Sequence, residues 1–249
     1  MSTPYIVKEK IIISGKYLEH YKFDSGYWVG LPKNCSKIPQ KKDKSNAAQE
    51  SIREDNVKRT RKMIRRLINC NQDLDRFMTL TYNTPVLDLC QSNPIFHNFI
   101  KRINRIYPNF KYLCVPEFQK KSGRVHYHLL CNIPYTPKSV IEQIWQNGFC
   151  FLRKIDNIDN VGAYVCKYLG KENFDPRYFR QKKFFYSYNL LRPLIVDNLC
   201  IIQGYLKALH LDFQIYAKKA FEFKAFTKFL GVIRYSQYIL RLNHKGAFE

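Results

Sequence analysis

Acidic residues are scarce in this 249-residue chain, with 20 Asp+Glu against 42 Lys+Arg and a formal net charge of +22. Such an imbalance excludes a self-neutralised surface and points to a polyanionic partner. An AT-rich genome, whose codons favour Lys, Tyr, Phe, Asn and Ile, offers the other reading of the same composition. No C-x-x-C pair occurs among Cys35, Cys70, Cys90, Cys114, Cys131, Cys150, Cys166 and Cys200. A zinc ribbon or small disulfide scaffold is therefore excluded, and reduced, mostly buried thiols are expected. Neither a signal peptide nor an unbroken apolar run of membrane-spanning length is present. A cytoplasmic protein with no membrane partner is the expectation. The absence of a Walker-type glycine loop argues against an attached helicase. What the chain does have is 45% hydrophobic and 15% aromatic residues, enough for one catalytic domain with additions or two small domains. Tyr and Phe interleaved with Lys and Arg favour single-stranded nucleic acid, where rings stack on bases and cations meet phosphates.

Tyr5 to Ile13 and Lys16 to Phe23, joined at Ser14-Gly15, read as a hairpin appended to the main sheet. Pro32 to Lys44 reads as an exposed basic connector. From Ser45 to Asn69 the spacing of Val57, Ile64, Leu67 and Ile68 predicts a helix, crowded elsewhere by Lys58, Arg59, Arg61, Lys62, Arg65 and Arg66. That face either tracks phosphates or is simply solvated. Arg76 to Tyr82 reads as a strand, and Asn93 is expected to cap a helix that starts at Pro94 and stops before Pro108. Strands are predicted over Lys111 to Phe118, Arg124 to Ile133 and Phe149 to Ile155. Further helices are predicted over Pro137 to Gln146 and from Asp159 or Asn160 through Tyr168. This order predicts an α+β fold: an antiparallel, ferredoxin-like sheet with helices on one face and its other face open for chemistry. Three regions follow: 1–72, an amino-terminal hairpin, linker and basic helix; 73–173, the catalytic domain; and 174–249, a basic aromatic extension.

The stretch Val125-His126-Tyr127-His128 carries the chemistry. In a strand both imidazoles leave by one face, roughly 6 to 7 Å apart, and Tyr127 leaves by the other. A two-residue turn at Ser122-Gly123 would set Gln119 opposite His126 and Glu117 opposite His128, so that Glu117, His126 and His128 converge. Mixed nitrogen and oxygen ligation of this kind suits Mg²⁺ or Mn²⁺ acting on phosphates, and would also admit Zn²⁺ or Co²⁺. Glu117 could instead ion-pair with Lys120 or Arg124. Tyr164 and Tyr168 lie four apart on one helical face with Lys167 beside them. A phenol is a poor nucleophile at neutral pH, and a metal on the phosphate with a lysine near the phenolate would remedy that.

Taken in order, these stretches resemble the motifs of the HUH endonucleases, in particular the replication initiators of rolling-circle plasmids and single-stranded DNA phages. Phe77-Met78-Thr79-Leu80-Thr81-Tyr82 is similar to their first motif. Glu117 with Gly123 to Leu130 is similar to the metal-binding second, and Gly162 to Tyr168 to the third. The resemblance spans roughly Asp75 to Lys171. It implies His126, His128 and Glu117 as metal ligands, Tyr164 or Tyr168 as nucleophile, and a 5′-phosphotyrosine with a free 3′-hydroxyl that primes a host polymerase. Origin DNA, single-stranded or supercoiled, and the host replication machinery are the implied partners. A relaxase or a tyrosine transposase shares this chemistry. A non-catalytic single-stranded nucleic-acid-binding module is the reading from another class. In the carboxy-terminal region, Phe179, Phe184, Phe185, Tyr186 and Tyr188 are either base-stacking or core, and Gly204 to Leu240 reads as mostly helical or mixed.

Overall fold

The computed structural model describes residues 4–30, 46–155, 176–178, 181–211, 217–227 and 230–240. In chain order the elements begin with strands β1 (Tyr5–Ser14) and β2 (Tyr17–Val29), helix α1 (Asn46–Cys70), strand β3 (Arg76–Tyr82), helix α2 (Leu89–Ile106), and strands β4 (Tyr112–Phe118) and β5 (Val125–Cys131). They continue with helix α3 (Lys138–Trp145) and strands β6 (Gly148–Lys154), β7 (Phe185–Tyr186) and β8 (Leu194–Val196). Helix α4 (Leu199–Leu211) and strands β9 (Ala217–Thr227) and β10 (Gly231–Leu240) complete the series. The fold is α+β with antiparallel sheets, as expected. The expected helix through Tyr164 and Tyr168 lies outside the described residues, as does the connector.

Contacts divide the chain into two compact units, residues 44–191 and residues 1–43 with 192–249. This grouping differs from the tripartite division drawn from sequence. The basic helix α1 packs into the unit of the central sheet, while the amino-terminal hairpin pairs with carboxy-terminal strands. Sequence order misleads here because hairpins pair with edges wherever hydrogen-bond donors and acceptors are free.

In the 44–191 unit the strand order is β6-β3-β5-β4-β7. Residues of opposite parity build a core on each face. Met78, Leu80, Tyr127 and Leu129 meet Phe96, Phe99 and Ile103 of α2 and Ile141 and Trp145 of α3. On the other face Phe77, Leu113, Val115 and Leu130 meet Ile64, Leu67 and Ile68 of α1. The face expected to be open is therefore roofed at one end by α1, whose apolar stripe is the one the spacing predicted. Pro94 does not start α2. Asp88 caps it, its carboxylate accepting from the Cys90 amide, and Pro94 sits inside the helix. Asn93 instead accepts the Tyr127 hydroxyl at 2.8 Å. Pro116 is tolerated in β4 because β7 covers only Leu113 and Cys114. Its carbonyl accepts from the Tyr178 hydroxyl at 3.1 Å, so the side of the strand where an N–H is missing faces away from β5.

The other unit holds the order β8-β1-β2-β10-β9. The hairpin β1-β2 is thus part of a second sheet and not an appendage to the first. The segment from Gly204 to Leu240 is mixed, with the β9-β10 hairpin following α4. One face carries Ile11, Leu18, Val196 and Leu240 against Ile202. The other carries a ladder of rings from Phe23 through Tyr21 and Tyr235 to Phe223 and Phe221, with centroids 4.9–6.2 Å apart.

Candidate functional site

Register fixes the site. Thr81 of β3 stands between Phe149 of β6 and His126 of β5, and Glu117 of β4 lies beyond His126. The next row on the same face reads Phe151, Thr79, His128, Val115, and the third reads Arg153, Phe77, Leu130, Leu113. The third row is the one under α1. The first two rows are where polar side chains interrupt an otherwise apolar face.

The hairpin register differs from the one predicted by two residues. Glu117 is opposite His126, and Val115 is opposite His128. The turn is longer than two residues: the Gln119 amide bonds the Arg124 carbonyl at 2.8 Å, and the Gly123 amide bonds the Gln119 carbonyl at 2.7 Å. Gly123 adopts φ +68°, which favours glycine. The Ser122 hydroxyl closes the loop on Gln119 Oε1 at 2.5 Å. An even shift preserves the face, whereas a shift of one would have sent both imidazoles into the α2 core.

All three expected ligands are therefore brought to one face. The Glu117 carboxylate reaches diagonally, with Oε2 2.5 Å from His128 Nε2. The imidazole centroids lie 6.4 Å apart. Each ring is also held from behind. Thr79 Oγ1 is 3.1 Å from His128 Nδ1, and Thr81 Oγ1 is 3.4 Å from His126 Nδ1. Phe77 stacks on His128 with 16° between planes. Burial holds the His126 imidazole below its ordinary 6.5, His128 pushes in the same direction and Glu117 opposes both, so the ring is neutral at neutral pH. Tyr127 turns to the opposite face, as predicted. It stacks on Phe96 at 4.4 Å, and its hydroxyl donates to Ser92 or Asn93. Burial raises that phenol far above its usual range.

Two further devices hold β3 and β6 beside the histidines. The buried Trp145 indole N–H donates to the Thr81 carbonyl at 3.1 Å. Gly148 opens β6 with φ +143°, and a Cβ there would collide with the Thr81 carbonyl and the Asn83 amide. The threonines were missed as site residues in the sequence. Their signal was the alternation in Phe77-Met78-Thr79-Leu80-Thr81-Tyr82, which gains meaning only once β3 is known to neighbour β5.

A threonine hydroxyl can donate or accept, so it tolerates either imidazole tautomer. With the ring proton on Nε2, His128 donates to Glu117. With it on Nδ1, the Nε2 lone pair is released toward an electrophile. Two imidazoles and a carboxylate are donors that divalent cations take. Among the described residues, no group of three His, Cys, Asp or Glu side chains has the geometry of a held ion. As placed, Glu117 and His128 satisfy each other. Tyr164, Lys167 and Tyr168 lie outside the described residues. So does Phe179 of the carboxy-terminal aromatics; of the others, Phe185 is in the core, Phe184 and Tyr186 pack against it, and Tyr188 is 90% exposed. Among the described residues no helix is long and apolar enough to cross a membrane.

Residues 75–173 match the model of a family of replication-associated proteins, described as Replication-associated protein ORF2. The match spans nearly the same residues as the three motifs and supports their resemblance to replication initiators. No curated protein and no solved structure shows a significant match to the chain.

Proposed function

We propose that this chain, similar over residues 75–173 to that family of replication-associated proteins, is a replication initiator that nicks and rejoins origin DNA to start rolling-circle synthesis. The observation that carries the proposal is the gathering of Glu117, His126 and His128 on one sheet face, with each imidazole held through Nδ1 by a threonine. Release of the Glu117–His128 bond frees two Nε2 atoms and a carboxylate oxygen for Mg²⁺ or Mn²⁺. Bound there, the ion supplies polarisation of the scissile phosphate. The protein's own share is orientation. Thr79, Thr81 and Phe77 fix the rings, and Trp145 and Gly148 fix the strand that carries the threonines.

Tyr164 or Tyr168 is the nucleophile in this reading. Its phenolic oxygen forms a bond to phosphorus as the bond from phosphorus to the 3′ oxygen breaks. The phenolic proton is lost and the leaving oxygen gains one, giving a 5′-phosphotyrosine and a 3′-hydroxyl. Lys167 stabilises the phenolate. The phosphotyrosine conserves the energy of the broken bond, so attack by a 3′-hydroxyl reseals the strand without ATP. The second tyrosine cuts the regenerated origin, and the first 3′-hydroxyl serves the host polymerase.

The direct Glu117–His128 contact favours a second reading, a module that binds single strands without cutting them. Incubation with single-stranded or supercoiled origin DNA and Mn²⁺ decides between the two. An initiator leaves protein on the 5′ end, and the adduct disappears in the Tyr164→Phe, Tyr168→Phe double variant and in His126→Ala. A protein that binds the DNA and leaves no adduct is the module. Adduct formation undiminished in His126→Ala would remove the histidines from the mechanism.

A further inference from the structure

The first two rows of the site face end, on the edge strand β6, in Phe149 and Phe151. Phe149 is level with Thr81 and His126, and Phe151 with Thr79 and His128. Their rings are 60% and 57% exposed, although Cys150 between them is buried. Neither meets another ring among the described residues. Alternate residues of a strand lie about 6.5–7 Å apart, and two strands over is about 10 Å. Both rings therefore stand within one nucleotide's reach of the histidines. Exposed phenylalanine is disfavoured in water, and a pair of them confined to the edge of a candidate reaction centre marks a contact surface.

The surroundings of the pair select the occupant. Arg153 continues the same face of β6, with its guanidinium 5.5 Å from the Phe77 ring. Helix α1, on the same side of the sheet, exposes Arg59, Lys62 and Arg65. A partner protein with an apolar patch would use the phenylalanines but not these cations. A duplex would meet the cations, but its paired bases could not reach the rings. A single strand uses both, because every unpaired base has a face to stack and every linkage carries a charge.

We infer that Phe149 and Phe151 form a stacking platform for two consecutive bases of single-stranded DNA beside the phosphate presented to His126 and His128. The inference rests on the initiator reading for the identity of that phosphate, but stacking itself needs no metal and no cleavage. Phe149 and Phe151 are thus positioning residues, and their contribution is blind to base identity.

The test is fluorescence anisotropy of the full chain with a dT20 oligonucleotide and with an abasic strand of equal length, both in EDTA. Phe149→Ala, Phe151→Ala together should weaken dT20 binding by roughly 10-fold or more and leave the abasic strand unaffected. Leu at both positions should fail to restore dT20 binding, whereas Tyr or Trp should restore it, and Phe151→Trp should add an emission that dT20 quenches. Thermal unfolding within a degree of wild type shows that these surface changes leave the fold intact. Equal binding of dT20 by wild type and the double Ala variant would overturn the platform, as would equal loss for both strands or full rescue by Leu. A chain that passes this test and makes no adduct keeps the platform and loses the initiator. One that makes the adduct and fails this test loses only the platform.

Discussion

Each of the two sheets holds a histidine and a glutamate in diagonal contact across neighbouring strands, and only one of the pairs has the makings of a reaction centre. In the second sheet His20 Nε2 lies 3.4 Å from Glu9 Oε2, with His20 opposite Ile11 and Glu9 opposite Lys22. In the central sheet His128 meets Glu117 in the same diagonal sense. The difference lies in what completes each pair. Lys22 reaches the other oxygen of Glu9 at 3.4 Å, so that carboxylate is already matched by a cation. Glu117 has a second imidazole as its direct neighbour, and threonines stand behind both rings. The surroundings differ as well. Every residue of β4 and β5 is buried except Glu117 and His126, so the site is the one place on these two strands where a doubly covered sheet becomes polar. A buried His–Glu pair is therefore no sign of chemistry alone; an unfinished set of ligands beside an opening in the cover is a better one.

The largest contrast is in stability. Phe96 is fully buried, stacked on Tyr127 and tilted against Phe99, so Phe96→Ala should cost about 3–5 kcal/mol in urea denaturation. Phe221 closes the ring ladder of the other sheet at 55% exposure, and Phe221→Ala should cost under about 0.5 kcal/mol. Similar costs at the two positions would break the contrast between a doubly covered sheet and one with an open edge. Next in size is the outer support of the site. Thr79→Val keeps the shape of the side chain and removes the hydroxyl beside His128 Nδ1, so the rate of adduct formation should fall roughly 10- to 100-fold at unchanged dT20 affinity. Glu9→Gln, which alters the other His–Glu pair, should leave that rate as it was. Should both changes slow the reaction alike, the asymmetry between the pairs would be lost.

Much of the central sheet was legible because its signals are local. The strands of the resemblance, α1 and α3 follow from apolar spacing within their own windows. Tyr127 faces away from His126 and His128 because a strand alternates. Other features are not local. The hairpin register depends on a turn that Gln119, Ser122 and Gly123 close together, and the expected two-residue turn misplaced Glu117 by one pair on each strand. Asp88 outcompeted Asn93 as the cap of α2 because the buried Tyr127 hydroxyl needs Asn93 as an acceptor. The second sheet was invisible for a similar reason. Nothing within Tyr5 to Val29 says that Tyr21 will pair with Tyr235, which is more than two hundred residues away along the chain. The role of Thr79 and Thr81 likewise waits on knowing that β3 borders β5.

The smallest expected effect sharpens the comparison from the side of the inert pair. Burial lowers the His20 imidazole below its ordinary 6.5, and the nearby Glu9 only partly offsets this. A base whose folded value is depressed is destabilising when protonated. As pH falls through 6.5 the unfolded chain takes up its proton first, so stability declines from there down to the folded value and is unaffected above 6.5. The NMR titration of His20 should therefore have its midpoint below 6.5. His20→Gln should reduce the loss of stability between pH 7 and the folded midpoint without changing adduct formation at neutral pH. A midpoint above 6.5 would mean that Glu9 outweighs burial and that the ring is held as a cation. The pair in the second sheet would then be a charged clasp, and the contrast with the site would rest on the threonines and the second histidine alone.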